Sequence, residues 1–249
     1  MSGHVATSSQ DGVLEVTLEN ARRRNALSLS LLSALSRAID DAGAGEIRAV
    51  VVAGAGDGFS AGADLAELTG TIDDRAVDDA IARAAASIRD CPVPVIAAVE
   101  GPCIGGALEL ALNCDAIVAG EGAYFAVPAT HLGLLYDPRA VARLRLRLSP
   151  AALRWLLLLG ERIDALTGVE MGLVARVVRE GTAKAEARAL AGRVSARSPH
   201  AVAATRKLLN EFEEGCARLD EWERVRLDIL DSTERRERIE EAKERLGLA

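Results

Sequence analysis

VIAAVEGPCIGGALELALNCD, Val95 to Asp115, is the stretch on which the reading of this chain turns. A β-branched apolar run, Val93 to Val99, stops at Gly101-Pro102. Two glycines, Gly105 and Gly106, then open an Ala/Leu-rich helix with one acid, Glu109, in its first turn. Strand, glycine hinge and helix leave the free N–H groups of the helix end facing whatever lies beyond the strand's carboxyl end. With no Cβ in the way, a carbonyl oxygen can approach a glycine backbone closely. An oxyanion developing there meets N–H donors and the positive end of the helix dipole.

Working outward, Val13 to Leu18 alternates apolar and polar side chains and predicts a half-buried strand. A turn with Arg22, Arg23 and Arg24 follows. Leu29 to Ala42 has helical spacing, with Ser28 or Ser30 as N-cap. Ala49 to Ala53 predicts a buried strand, and Asp73 to Arg89 a helix closed by Pro92 and Pro94. Ala116 to Ala119 is a further short strand. The β, α, β, α, β, α, β order predicts a parallel sheet. Beyond Tyr124 the pattern changes: Pro128 to Pro138 is loop-like, and Val141 to Leu148 and Pro150 to Gly160 are helical. Asp164 to Gly172 gives a further helix and Val174 to Val178 a short strand. From Thr182 the chain is helical, broken at Ser198-Pro199. The charged tail, Thr233 to Leu246, is either a solvated end or a helix laid across a neighbouring subunit. The division expected is an α/β core over 1–190 and a helical C-terminal subdomain over 191–249.

Composition sets outer bounds. The chain has 249 residues, 49% hydrophobic and 27% charged, with 3% aromatics, so the core is built from aliphatic residues. A net charge of −7 argues against a nucleic-acid binder. The four cysteines (Cys91, Cys103, Cys114, Cys216) lack CxxC spacing and read as reduced thiols. No N-terminal apolar run resembles a signal peptide, and no segment is apolar enough to span a membrane, so a cytoplasmic location is expected. No HxxxH, HExxH or cysteine cluster points to a metal. His131 stands alone on a loop, and Ser28, Ser30 and Ser60 lack a His/Asp arrangement.

The second unusual stretch is FSAGADL, Phe59 to Leu65, behind a glycine-rich loop. Alone it is a tight turn with Asp64 as N-cap. Beside Gly105-Gly106, it becomes a second strand-to-helix junction able to aim an N–H at the same point. Taken together, RNALS (Arg24 to Ser28), FSAGADL and GPCIGGALELALNCD resemble, in order and spacing, the motifs of the crotonase superfamily, the enoyl-CoA hydratase/isomerase family. The resemblance implies a crotonase-like α/β fold of ββα units with a helical C-terminal subdomain. It places the two oxyanion N–H donors on Ala63 and Gly106 and the family's first catalytic glutamate at Glu109. It implies coenzyme A as part of the substrate rather than a bound cofactor. Arg22 and Arg24 would lie toward the phosphates, with Ala21 to Ala26 as the adenine stretch. Ala26, Ala61, Asp64, Leu65 and Gly105 would line the thioester, and a homotrimer or dimer of trimers would meet through C-terminal helices. The bland alternatives are an exposed arginine run and, for Glu109, an N3 capping residue.

The sequence departs from the family at Ala129, where hydratases place a second glutamate directly after a proline. Adding water uses one carboxylate to hold and deprotonate it and another to deliver a proton, and alanine does neither. Eight residues on, Asp137 resembles the acid of other branches, and is equally an ordinary Asp-Pro turn. Tyr136 resembles the pocket tyrosine of a decarboxylase branch whose oxyanion-loop histidine is replaced here by Ala63. Double-bond isomerisation with Glu109 is therefore expected ahead of decarboxylation of a malonyl-type CoA, or of a non-catalytic CoA-binding scaffold.

Overall fold

The computed structural model describes residues 3–43 and 45–248; the Ala21 side chain lies outside the described residues. β1 (His4–Gln10) and β2 (Val13–Glu19) form an antiparallel hairpin. Its turn, Asp11-Gly12, has φ of 54° and 74°, as two-residue hairpins require. β1 is an addition to the sequence reading, because only Val5 and Ala6 are apolar and its remaining residues are polar and exposed. α1 (Leu29–Gly43), β3 (Ala49–Gly54), α2 (Arg75–Asp90) and β4 (Val95–Val99) follow close to expectation. Of the two candidate caps Ser28 serves α1, its Oγ accepting from Leu31 N–H at 3.2 Å.

The hinge after β4 is not a plain turn. It carries β5 (Pro102–Ile104) before α3 (Gly106–Leu112). β6 (Ala116–Gly120) and β7 (Tyr124–Ala126) come next, then α4 (Pro138–Arg147) and α5 (Pro150–Leu153). The helix expected to run on to Gly160 instead loosens into a π turn over Arg154–Leu158. β8 (Ile163–Asp164), α6 (Ala165–Glu170) and β9 (Arg176–Val178) lead to α7 (Ala183–Ser195), α8 (Pro199–Glu214), α9 (Leu219–Leu230) and α10 (Thr233–Leu246).

The main sheet has the order β1-β2-β3-β4-β6-β9 and is parallel from β2 onward. β3 and β4 are apolar throughout because helices cover both faces. On one face Val50, Val52, Ala97 and Val99 meet Leu31, Leu35, Ile39, Ile81, Ile88 and Leu108 of α1, α2 and α3. On the other, Val51, Ile96 and Val118 meet Ala183, Ala187 and Ala191, spaced four apart along α7. A boundary at residue 190 therefore falls inside a helix packed on the sheet. A separate small sheet, β5-β7-β8, sits beside the α3 N-terminus.

The chain turns at Ser198-Pro199, where Ser198 caps α8. Arg206, 7% exposed, anchors this helix: its guanidinium donates to the carbonyls of Ile88, Arg89 and Cys91 and to Asp115 Oδ2 at 2.8 Å. The tail helix α10 buries none of its residues.

Candidate functional site

The loop after β3 runs back along β5. Ser60 N–H donates to the Pro102 carbonyl at 2.9 Å, and Ile104 N–H to that of Ser60 at 3.1 Å. The contact continues at Gly62, whose φ is 89°; an added Cβ would lie 2.6 Å from the Ile104 oxygen. Glycine is thus required both by the backbone and by the close approach. On its other side the loop is strapped to Leu27, which donates to the Gly62 carbonyl at 2.8 Å and accepts from Asp64 N–H at 3.2 Å. Those bonds flank Ala63, so its own N–H faces away from Leu27. Among the described residues that N–H has no hydrogen-bond partner.

The second junction lies alongside. Gly105 has φ 56° and ψ −121° and donates to the Ala126 carbonyl at 2.8 Å. Its own carbonyl accepts from Tyr136 Oη at 2.9 Å and from Leu108 N–H at 3.0 Å. Gly106 N–H opens α3 and likewise has no partner among the described residues. Two adjacent junctions thus each leave one amide donor free.

Glu109 lies one helical turn beyond Gly106 and is 3% exposed. Burial pushes its carboxyl up to about 7, against the opposing pull of Arg143; Asp137 and Asp78 add to the rise and Arg139 opposes it. Arg143 Nη2 donates to Glu109 Oε1 at 2.5 Å. The Nε of the same guanidinium is buried without a partner among the described residues. Neither Arg143 nor Asp78 emerged from the sequence. Asp78 sits on α2, and its carboxyl is raised first by burial and then by the nearby charge of Asp137. Arg143 projects from α4 midway between Arg139 and Arg147, a spacing that reads as a solvated stripe.

Asp137 caps α4, its Oδ1 accepting from Arg139 N–H at 2.7 Å, and its side chain is 15% exposed. The Tyr136 phenol is raised well above its ordinary range by burial and by the neighbouring Glu109. Ala129 is 5% exposed and begins a 3-10 turn, so no ionisable group stands there. His131 is exposed.

The basic turn divides its labour. Arg23 is committed to Asp64, Nη1 to Oδ2 at 2.8 Å. Asp64 also accepts from Ala66 N–H, so both its oxygens hold the loop rather than face outward. Arg22 and Arg24 are exposed and form no ion pair among the described residues. Beneath them Asn25, 1% exposed, donates to the carbonyls of Ala55 and Gly58 at 2.8 and 2.9 Å. Ala26 is buried, Ala61 is part-buried and Leu65 is 66% exposed. No helix among the described residues is long and apolar enough to cross a membrane.

Comparison with known proteins agrees with this architecture. The family model for enoyl-CoA hydratase/isomerase matches residues 8–245. A probable enoyl-CoA hydratase of Mycobacterium tuberculosis is 34% identical over 207 residues, covering 83% of this chain and 82% of its own. The mouse protein described as enoyl-CoA hydratase domain-containing protein 3, mitochondrial, is 35% identical over 80% of this chain and 67% of its own. The crystal structure of an enoyl-CoA hydratase/isomerase family protein from Hyphomonas neptunium superposes with a TM-score of 0.87. It is 32% identical and covers 92% of this chain and 90% of its own. With the motif order, the sheet and the paired junctions all in agreement, this chain belongs to the enoyl-CoA hydratase/isomerase family of the crotonase superfamily.

Proposed function

We propose that the site binds an acyl-CoA thioester, holds its carbonyl oxygen between the N–H groups of Ala63 and Gly106, and moves a proton with Glu109. The observation that carries this is a buried carboxyl titrating near 7, one turn past a free helix-end amide. A base is most effective when its pKa lies near the working pH. Each amide donor is worth roughly 3–4 kcal/mol to a developing enolate.

Isomerisation fits one carboxylate better than hydration does. Glu109 takes a proton from Cα of a β,γ-unsaturated thioester, and the electron pair delocalises onto the oxygen between the two amides. The Glu109 carboxyl, exchanging its proton with solvent, then delivers a proton to Cγ, leaving the double bond conjugated with the thioester. Ala129 offers no second acid to hold and split a water molecule. Asp137, already capping α4, acts on Glu109 mainly through its charge. Arg22 and Arg24 are free to meet the CoA phosphates. Ala26, Ala61, Leu65 and Gly105 line the path to the thioester, Asp64 holds the loop and Tyr136 walls the acyl end.

The reading includes a cytoplasmic homotrimer or dimer of trimers. In its support, a groove of about 570 Å³ lined by Leu208, Phe212, Leu219, Trp222 and Ile229 runs between α8 and α9, and α10 buries nothing. Sedimentation equilibrium tests it; a monomer across the micromolar range refutes the assembly.

The chemistry is tested by incubating saturated and unsaturated acyl-CoAs in D2O. Deuterium enters next to the thioester or at Cγ in the wild type and not in Glu109→Gln. Exchange absent for every chain length refutes proton transfer. CoA binding without turnover then identifies a scaffold, and CO2 release from malonyl-CoA that survives Glu109→Gln identifies a decarboxylase.

A further inference from the structure

Arg143 uses only half of one edge of its guanidinium. The Nε–H and one Nη2–H of an arginine point the same way and together clasp two oxygens. Arg89 does this on the surface, holding Asp90 through Nε at 2.9 Å and Nη2 at 3.1 Å. Arg143 instead gives Nη2 to Glu109 Oε1, while its Nε is buried and unpartnered among the described residues. A buried donor on a charged group left without an acceptor is costly. Because Nε–H and Nη2–H share one edge, the missing acceptor's position adjoins the carboxylate assigned to proton transfer, and no charged group around Glu109 supplies that acceptor among the described residues. Asp137 accepts from Arg139 N–H, and Asp78 forms no hydrogen bond with the guanidinium among the described residues.

We propose that the Arg143 Nε–H is the seat for a hydrogen-bond-accepting oxygen on the acyl chain, making the site selective for oxygen-bearing acyl groups over plain hydrocarbon ones. The inference rests on the acyl-CoA reading above. It names the substrate class within that reading: thioesters with a carboxylate or hydroxyl oxygen close to the reacting carbons. Such a substrate completes the fork, with Glu109 on one tine and the acyl oxygen on the other.

Calorimetric titration of the full chain with succinyl-CoA, 3-hydroxybutyryl-CoA and butyryl-CoA tests this. At least one oxygen-bearing thioester binds roughly tenfold tighter than butyryl-CoA, the scale of a charge-assisted hydrogen bond. A preference confined to succinyl-CoA identifies the oxygen as a carboxylate, and one confined to 3-hydroxybutyryl-CoA as a hydroxyl. In Arg143→Met the preference falls to within about twofold. Arg143→Lys keeps a cation beside Glu109 but not the forked edge, and shows the same collapse should the methionine variant not fold. Equal binding of all three thioesters overturns the inference while leaving the acyl-CoA reading intact. So does a preference that persists in both variants. Failure of all three to bind overturns both.

Discussion

The hydroxyl of Tyr136 donates to the carbonyl of Gly105 at 2.9 Å, and that carbonyl shares a peptide plane with the N–H of Gly106. In a trans peptide the two groups point in opposite directions. A bond that pins the oxygen on one side therefore aims the hydrogen on the other. The Gly105 N–H is fixed in turn by Ala126, so the hinge peptide is held from both ends.

Tyr136→Phe removes that pin and little else. Phenylalanine keeps the apolar packing while Gly105 retains its helical acceptor bonds. The variant is expected to lose about 1 kcal/mol of stability. Its kcat/KM is expected to fall roughly tenfold through kcat, because the amide is misaimed at the enolate oxygen of the proposed mechanism. Steady-state kinetics beside a CoA-binding titration separate these effects: unchanged kcat would remove Tyr136 from the site's alignment.

Gly62→Ala attacks the first junction. At φ 89° an alanine is strained by roughly 1–3 kcal/mol, and its Cβ would press on the backbone oxygen of Ile104. The two junctions are forced apart, so activity falls at least tenfold and the melting temperature drops. Gly70→Ala is the control: φ is 73° there, but nothing lies within 4 Å of the added carbon. It carries strain without displacing the site, and its activity stays near wild type. Equal losses in both variants would mean that contact at Ile104 is unimportant.

What the sequence disclosed follows from range. β3 and β4 were legible because two-sided burial makes every residue apolar, and the two junctions because glycines mark them. β1 offers only Val5 and Ala6 as apolar residues, too few to show a period, although Asp11-Gly12 is itself a hairpin signal. β5 and β7 are three residues each, too short for any period to appear. The Arg23–Asp64 pair spans 41 residues and Arg143–Glu109 spans 34. No local pattern encodes such a meeting. One arginine of a stripe with i,i+4 spacing does not announce that it points inward.

Ala129→Glu asks whether the missing acid is what stands between this site and hydration. The position directly follows a proline and is only 5% exposed, so the new carboxyl is desolvated as a proton-handling acid should be. Hydration of crotonyl-CoA, followed by loss of the enoyl thioester absorbance, is expected to rise at least tenfold over wild type. Stability falls by about 1–3 kcal/mol as a larger group enters a packed turn. A folded variant with no gain would place the deficit elsewhere in the site.

The pH dependence of kcat/KM follows from Glu109. Burial raises its carboxyl from 4.5 to about 7, and in the proposed mechanism the base form is the one that takes the substrate proton. Below about 7 the carboxylate fraction shrinks, so kcat/KM falls close to tenfold per pH unit; above it the profile is flat. The same shift favours the protonated acid in the folded state. The stability this group contributes is therefore full below 4.5 and lost as the pH rises through about 7. Arg143 opposes the rise, so Arg143→Met moves the acidic limb of the profile to higher pH, while Glu109→Gln abolishes it. The profiles of wild type and Arg143→Met, measured with one thioester, decide the matter. A limb that stays in place after the guanidinium is removed would mean that Arg143 does not govern the proton on Glu109.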